Sequence, residues 1–225
     1  MALGFSGFEL RTTDVPAAEE FYKSLLGGSV GKVVPLSPQA AAHGAPPHWV
    51  GYLAVANLAS ALQKILQTGA KFIGSSEIQA DDVNCLTLKG AGGEVIGITS
   101  GGVGASADRV GFYQLLAPDA AKAINDYREI FGWKVFPSRQ SDAGFPYHLI
   151  GENQSQSASG MVLDTSSFPG SHPHWLYYFR VTDLDKAVTQ VRSREGEVTG
   201  LYKSPLGREI AVCHDPQGAA FGLVS

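Results

Sequence analysis

The chain has 225 residues, 44% hydrophobic and 17% charged, with a formal net charge of −4. That balance belongs to a folded globular protein, and the acidic excess argues against nucleic acid, which favours a basic face. No apolar run approaches the roughly 18 residues of a membrane helix, and MALGFSGFELRTTD lacks the basic start and apolar core of a signal segment, so the expectation is a cytoplasmic protein with no membrane partner.

Phe8 and Leu10 alternate with Glu9 and Arg11, the period of a strand. Asp14 offers a helix cap, Pro16 suits a first turn, and Ala18, Phe21, Tyr22, Leu25 and Leu26 recur at helical spacing until Gly27. The stretch from Gly28 to His48 is too short for three full strands, and LSPQAAAHGAPP within it reads as a loop. HWVGYLAVA is the next strand. Leu58, Leu62, Ile65 and Leu66 predict a helix after Asn57, followed by strands in KFIGSSEI, NCLTLKG and EVIGITS. SGGVGASAD is Gly/Ser-rich and reads as a linker. Beyond it, Ala120, Ile124, Tyr127 and Ile130 predict a helix after Asp119, and PYHLIGE and SASGMVL a hairpin. HWLYYFRVT is a strand, Leu184, Ala187, Val188 and Val191 a helix after Asp183, and GREIAVC and AAFGLVS are closing strands.

The chain repeats itself. FELRTTDVPAAEEFYKSLLGGSV matches YQLLAPDAAKAINDYREIFGWKV, aligning Asp14 with Asp119, Tyr22 with Tyr127 and Gly27 with Gly132. HWVGYLAVANLASALQKILQTGAKF matches HWLYYFRVTDLDKAVTQVRSREGEV, aligning Tyr52 with Tyr178, and the second half is longer between Pro137 and His174. Two homologous domains follow, 1–103 and 107–225, each of two β-α-β-β-β modules. The first module is incomplete.

Alternation gives each first strand two faces. Trp175, Tyr177, Phe179 and Val181 should pack on a helix, as should Trp49, Leu53 and Val55. The other, mixed face carries Gly7, Glu9 and Arg11; His48, Val50, Tyr52 and Ala54; Phe112, Gln114 and Leu116; and His174, Leu176, Tyr178 and Arg180. If the sheet curls, that face lines a wet concavity. The candidate ligand-binding residues are therefore Glu9, Arg11, His48, Tyr52, Gln114, His174, Tyr178 and Arg180. Glu9 and Arg11 could equally form a structural ion pair, and the tyrosines could be core. Cys85 and Cys213 lie in apolar strands and read as buried reduced thiols. GAGG and GGVG do not stand between a strand and a helix, so neither reads as a phosphate loop.

The βαβββ modules, the helices DVPAAEEFYKSLLGG and DAAKAINDYREIFGW, and the closing HDPQGAAFGL resemble the vicinal oxygen chelate superfamily of glyoxalase I, extradiol dioxygenases and bleomycin-resistance proteins. The resemblance covers essentially the whole chain. It implies an α+β fold in which the tandem modules form two half-open glyoxalase-like barrels. Catalytic members place a metal-ligand His on a first strand, seven residues before the capping Asp, and a ligand Glu at the end of a module. Those positions fall here on Gly7, Val50, Phe112 and Leu176, and on Gly97 and Gly222. None of these side chains can bind a metal, and a divalent ion needs about three or four N, O or S ligands. The resemblance thus implies metal-free binding of a small organic molecule, with no cofactor, by a monomer or homodimer. The alternative is a lyase, isomerase or dioxygenase with a displaced metal site drawing on His48, His148, His172, His174, His214 and Glu9. Metal-free acid–base chemistry by Glu9 and a purely scaffolding role also stay open.

Overall fold

The computed structural model describes residues 4–28, 31–75, 85–101, 107–137, 139–140, 146–152, 156–168 and 170–225. Elements appear in the order β1 (Phe5–Thr12), α1 (Val15–Leu26), β2 (Lys32–Pro35), α2 (Pro38–Ala42), β3 (His48–Ala54), α3 (Leu58–Gln67), β4 (Lys71–Ser75), β5 (Cys85–Lys89) and β6 (Val95–Thr99). The second half continues with β7 (Val110–Ala117), α4 (Ala120–Phe131), β8 (Lys134–Val135), β9 (Arg139–Gln140), β10 (Pro146–Gly151), β11 (Gly160–Asp164), β12 (His174–Arg180), α5 (Leu184–Ser193), β13 (Glu197–Lys203), β14 (Glu209–His214) and β15 (Ala220–Val224). Part of the Gly/Ser-rich linker, 102–106, lies outside the described residues.

The four long helices start as their sequences predict. Asp14 Oδ1 accepts the Ala17 amide at 3.1 Å, Asn57 that of Ser60 at 2.8 Å, Asp119 that of Lys122 at 2.9 Å and Asp183 that of Lys186 at 2.9 Å. Each bond satisfies an amide that has no partner within the helix. Gly27 and Gly132 close α1 and α4 in the left-handed region, at φ 69° and 71°, where a Cβ would be strained.

One expectation is corrected. The presumed loop at residues 36–47 contains α2. Ser37 caps it by accepting the Ala40 amide at 3.1 Å, Pro38 sits in its first turn, and a run of alanines follows. That is a complete local start signal for a short helix.

The strands form two sheets, one of six in the order β2-β1-β3-β6-β5-β4, the other of nine with β13-β14-β15-β12-β7-β11-β10-β8 and β9 beside β10. The fold is α+β. Among the described residues, the first module supplies the single strand β2 after its helix, whereas the third supplies the antiparallel hairpin β10–β11, registered Tyr147 to Leu163 and Leu149 to Met161. This is the difference in room noted between the two halves.

The chain divides into two compact units, each built from one module of each half. Unit 1 holds residues 1–7, 51–103 and 113–175, and unit 2 holds 8–50, 104–112 and 176–225. In unit 1, α3 packs on α4. Phe5, Tyr113, Trp133 and Trp175 meet edge to face or tilted, with Phe5 5.0 Å from Tyr113 and 5.3 Å from Trp175. In unit 2, α1 packs on α5, and Phe8, Tyr22, Trp49, Tyr177, Phe179 and Phe221 form the corresponding cluster, with Phe8 4.9 Å from Tyr177 and Trp49 5.0 Å from Phe179. The apolar faces read from strand alternation thus do pack on helices. Trp49 meets α1 and Trp175 meets α4, in each case the helix of the preceding module. Among the described residues, no helix is long and apolar enough to cross a membrane.

Candidate functional site

In unit 2 the mixed face of β1 is not wet. Glu9 is 2% exposed, and Arg11, two residues along the same face, donates Nε to Glu9 Oε1 at 2.9 Å. A carboxylate this buried needs such a partner. His48 stands in the field of both groups. Burial, first, and the Arg11 charge lower its proton affinity, against a bond to the Pro46 carbonyl and the opposing pull of Glu9. Its Nδ1 lies 2.7 Å from the Pro46 oxygen. That partner can only accept, so Nδ1 carries the proton and the lone pair of the neutral ring is on Nε2. Glu9, Arg11 and His48 therefore offer an ion pair beside a neutral imidazole.

The other candidates fall elsewhere. His174 repeats the arrangement of His48, with Nδ1 2.8 Å from the His172 carbonyl. Gln114 is 8% exposed, a second departure from the wet face expected. Arg180 is exposed and donates Nε to the Asp108 carbonyl at 3.2 Å. Tyr52 and Tyr178 are fully buried. In unit 1, Tyr52 is registered with Gly97 of β6, and a Cβ on Gly97 would overlap the Tyr52 ring. In unit 2, Tyr178 is registered with Gly222 of β15, and a Cβ there would overlap the Tyr178 ring, which also meets Phe112 edge to face at 5.6 Å.

These pairs bear on the metal question. The resemblance puts a ligand Glu at Gly97 and Gly222, and a tyrosine ring fills the space over each. Gly7, Val50, Phe112 and Leu176, where the resemblance would put the ligand His residues, carry no side-chain donor. Among the described residues, no group of three or more His, Cys, Asp or Glu is placed to hold a metal ion. At these six positions the side chains present do not fit a divalent metal ion. The sequence lines up each tyrosine and each glycine with its counterpart in the other half. It does not reveal that they form a packing pair, because they come from different strands of a module.

Two buried hydrogen-bond chains were not anticipated. In unit 2, Trp49 Nε1 donates to Tyr22 Oη at 3.1 Å, and Tyr22 donates to Asp215 Oδ2 at 3.1 Å. In unit 1, Trp175 Nε1 donates to Tyr127 Oη at 3.1 Å, and Tyr127 to Glu94 Oε1 at 3.3 Å. Burial raises the pKa of both carboxyls, against the hydrogen bonds each accepts. The alignment of Tyr22 with Tyr127 and of the two HW strands was the available signal. Cys85 and Cys213 are buried and unpaired with one another, and burial pushes the Cys213 thiol up to about 12, which makes it a poor nucleophile.

Comparison with known proteins agrees with this architecture. CFP32 of Mycobacterium bovis, provisionally named a glyoxylase, is 24% identical over 96% of this chain and 92% of its own. The 2,3-dioxygenase LapB of Pseudomonas sp. KL28 superposes with a TM-score of 0.67 at 12% identity, covering 99% of this chain and 92% of that one. The Mn(II)-bound glyoxalase of Novosphingobium aromaticivorans superposes with a TM-score of 0.68 at 12% identity, covering 100% and 82%. At such identity the structural likenesses establish the fold alone. The family profile Glyoxalase/Bleomycin resistance protein/Dioxygenase superfamily matches residues 109–223, slightly more than half the chain. The protein belongs to the glyoxalase/bleomycin resistance protein/dioxygenase superfamily.

Proposed function

We propose that this chain binds a small organic molecule without a metal, in the manner of the bleomycin-resistance branch of its superfamily, through the two duplicated domains 1–103 and 107–225. The observation that supports the reading is the pair of tyrosine rings, Tyr52 over Gly97 and Tyr178 over Gly222, the two glycines being where the resemblance would put a metal-ligand Glu. The Glu9–Arg11 ion pair and the neutral His48 are the polar groups best suited to orient a ligand, because the imidazole lies within the field of both charges. Gln114 and His174 are polar candidates in unit 1. The protein acts in the cytoplasm, as a monomer or homodimer.

Two measurements test this. Metal analysis of protein purified without chelators should find no stoichiometric divalent ion. A thermal-shift screen against antibiotics, aldehydes and catechols should find a stabilising compound whose effect is lost in Arg11→Ala. A stoichiometric ion bound through His48 or Glu9 would instead establish a lyase or dioxygenase with a displaced metal site.

A further inference from the structure

In unit 2, Arg208 converges with Arg180 on one short stretch of backbone. Arg208 Nη2 donates to the Gly111 carbonyl at 2.8 Å. Arg180 donates to the Asp108 carbonyl, three residues earlier, and its chain crosses Gly111 so closely that a Cβ there would lie 3.0 Å from Arg180 Cγ and 3.3 Å from Cζ. Two guanidinium groups are thus tethered to one short stretch of backbone. Burial and the Arg180 charge together disfavour the Arg208 cation. Asp108 and Glu209 are the nearest acids in sequence, but among the described residues neither arginine forms an ion pair.

Two like charges held together by neutral carbonyls are unfavourable unless an anion joins them. Guanidinium groups suit this role, since each has five donors in a planar fork and the carbonyls described engage one on each. The geometry points to an oxyanion site, in which Arg180 and Arg208 grip a carboxylate or phosphate of a small molecule. This goes beyond the proposed function, because it needs neither the Glu9–Arg11–His48 cluster nor any statement about metal.

The test follows the arginine Nε–Hε resonances by NMR while inorganic phosphate or benzoate is added at constant ionic strength, balanced with chloride. Saturable shifts of the Arg180 and Arg208 signals are expected with at least one of the two anions, and which one acts separates a phosphate from a carboxylate site. Arg208→Gln should weaken binding by about tenfold or more, and Arg180→Gln likewise. Arg208→Lys keeps the charge without the fork and should fall between. The amide spectrum of each variant verifies its fold, and the two glutamine variants are independent, so one misfolding leaves the other. Shifts that do not saturate, or affinities unchanged in a folded glutamine variant, overturn the proposal. Loss of the Arg11-dependent thermal shift does not bear on it.

Discussion

Units 1 and 2 bury the same tryptophan-to-tyrosine-to-carboxylate chain, yet they anchor the carboxylate differently. In unit 2, Asp215 sits in the turn of DPQGA and accepts the amides of Gln217 at 3.0 Å and Ala219 at 2.8 Å as well as the Tyr22 hydroxyl at 3.1 Å. In unit 1, Glu94 has a longer side chain, and its bond from Tyr127 is 3.3 Å. The donor half of each chain comes from residues that align in the repeat. The acceptor half is set by the local chemistry of a turn. A duplicated scaffold can therefore keep one buried contact while the acid that completes it changes identity and surroundings.

The largest effects should come where the two units agree most closely. Gly97→Ala and Gly222→Ala each force a methyl into a fully buried tyrosine ring, and each should cost about 3 kcal/mol in urea unfolding, near the upper range for overpacking. Adding Tyr52→Ala to the first, or Tyr178→Ala to the second, should make the glycine substitution close to neutral in that background. A neutral Gly97→Ala single variant would show that no ring lies over that strand.

A smaller effect should separate the units. Tyr22→Phe leaves Trp49 Nε1 without its acceptor and removes a donor from a buried carboxyl, so it should cost about 1–3 kcal/mol. Tyr127→Phe breaks the equivalent chain at its longer link and should cost less, about 0.5–1.5 kcal/mol. Equal losses on thermal or urea unfolding would mean that the added anchoring of Asp215 makes no difference.

Much of this architecture could be read before any coordinates. Helix starts at Asp14, Asn57, Asp119 and Asp183 are local signals, and so is the alternation that turns Trp49 and Trp175 toward helices. What could not be read is what depends on partners distant in sequence. Glu9 and Gln114 stand on faces whose pattern suggests water, yet both are buried, and Glu9 is paired with Arg11. The Tyr52–Gly97 and Tyr178–Gly222 pairs need strand register. The Arg180–Arg208 convergence needs the position of Gly111. Alternation assigns a face, but it does not say how deep that face lies.

The smallest predicted effect depends on pH. Burial raises the folded-state pKa of both Asp215 and Glu94 above the ordinary carboxyl value of about 4. A folded protein that holds these protons more tightly than the unfolded chain loses stability as pH rises. Their contribution is complete below that ordinary value and is lost as pH climbs through the raised one. His48 works in the opposite sense: its lowered pKa gives a contribution present above about 6.5 and lost as pH falls through the folded value. The two trends oppose one another in wild type, so the carboxyls should be isolated by difference. Glu94→Gln and Asp215→Asn remove one carboxyl each and leave His48 unchanged. Relative to wild type, each variant should gain stability between pH 4 and pH 7.5, measured as the change in unfolding free energy. The gain should be larger for Glu94→Gln. Asp215 accepts two backbone amides besides Tyr22, and these hydrogen bonds stabilise its anion against burial. A larger gain for Asp215→Asn would mean that depth of burial outweighs the turn's amides.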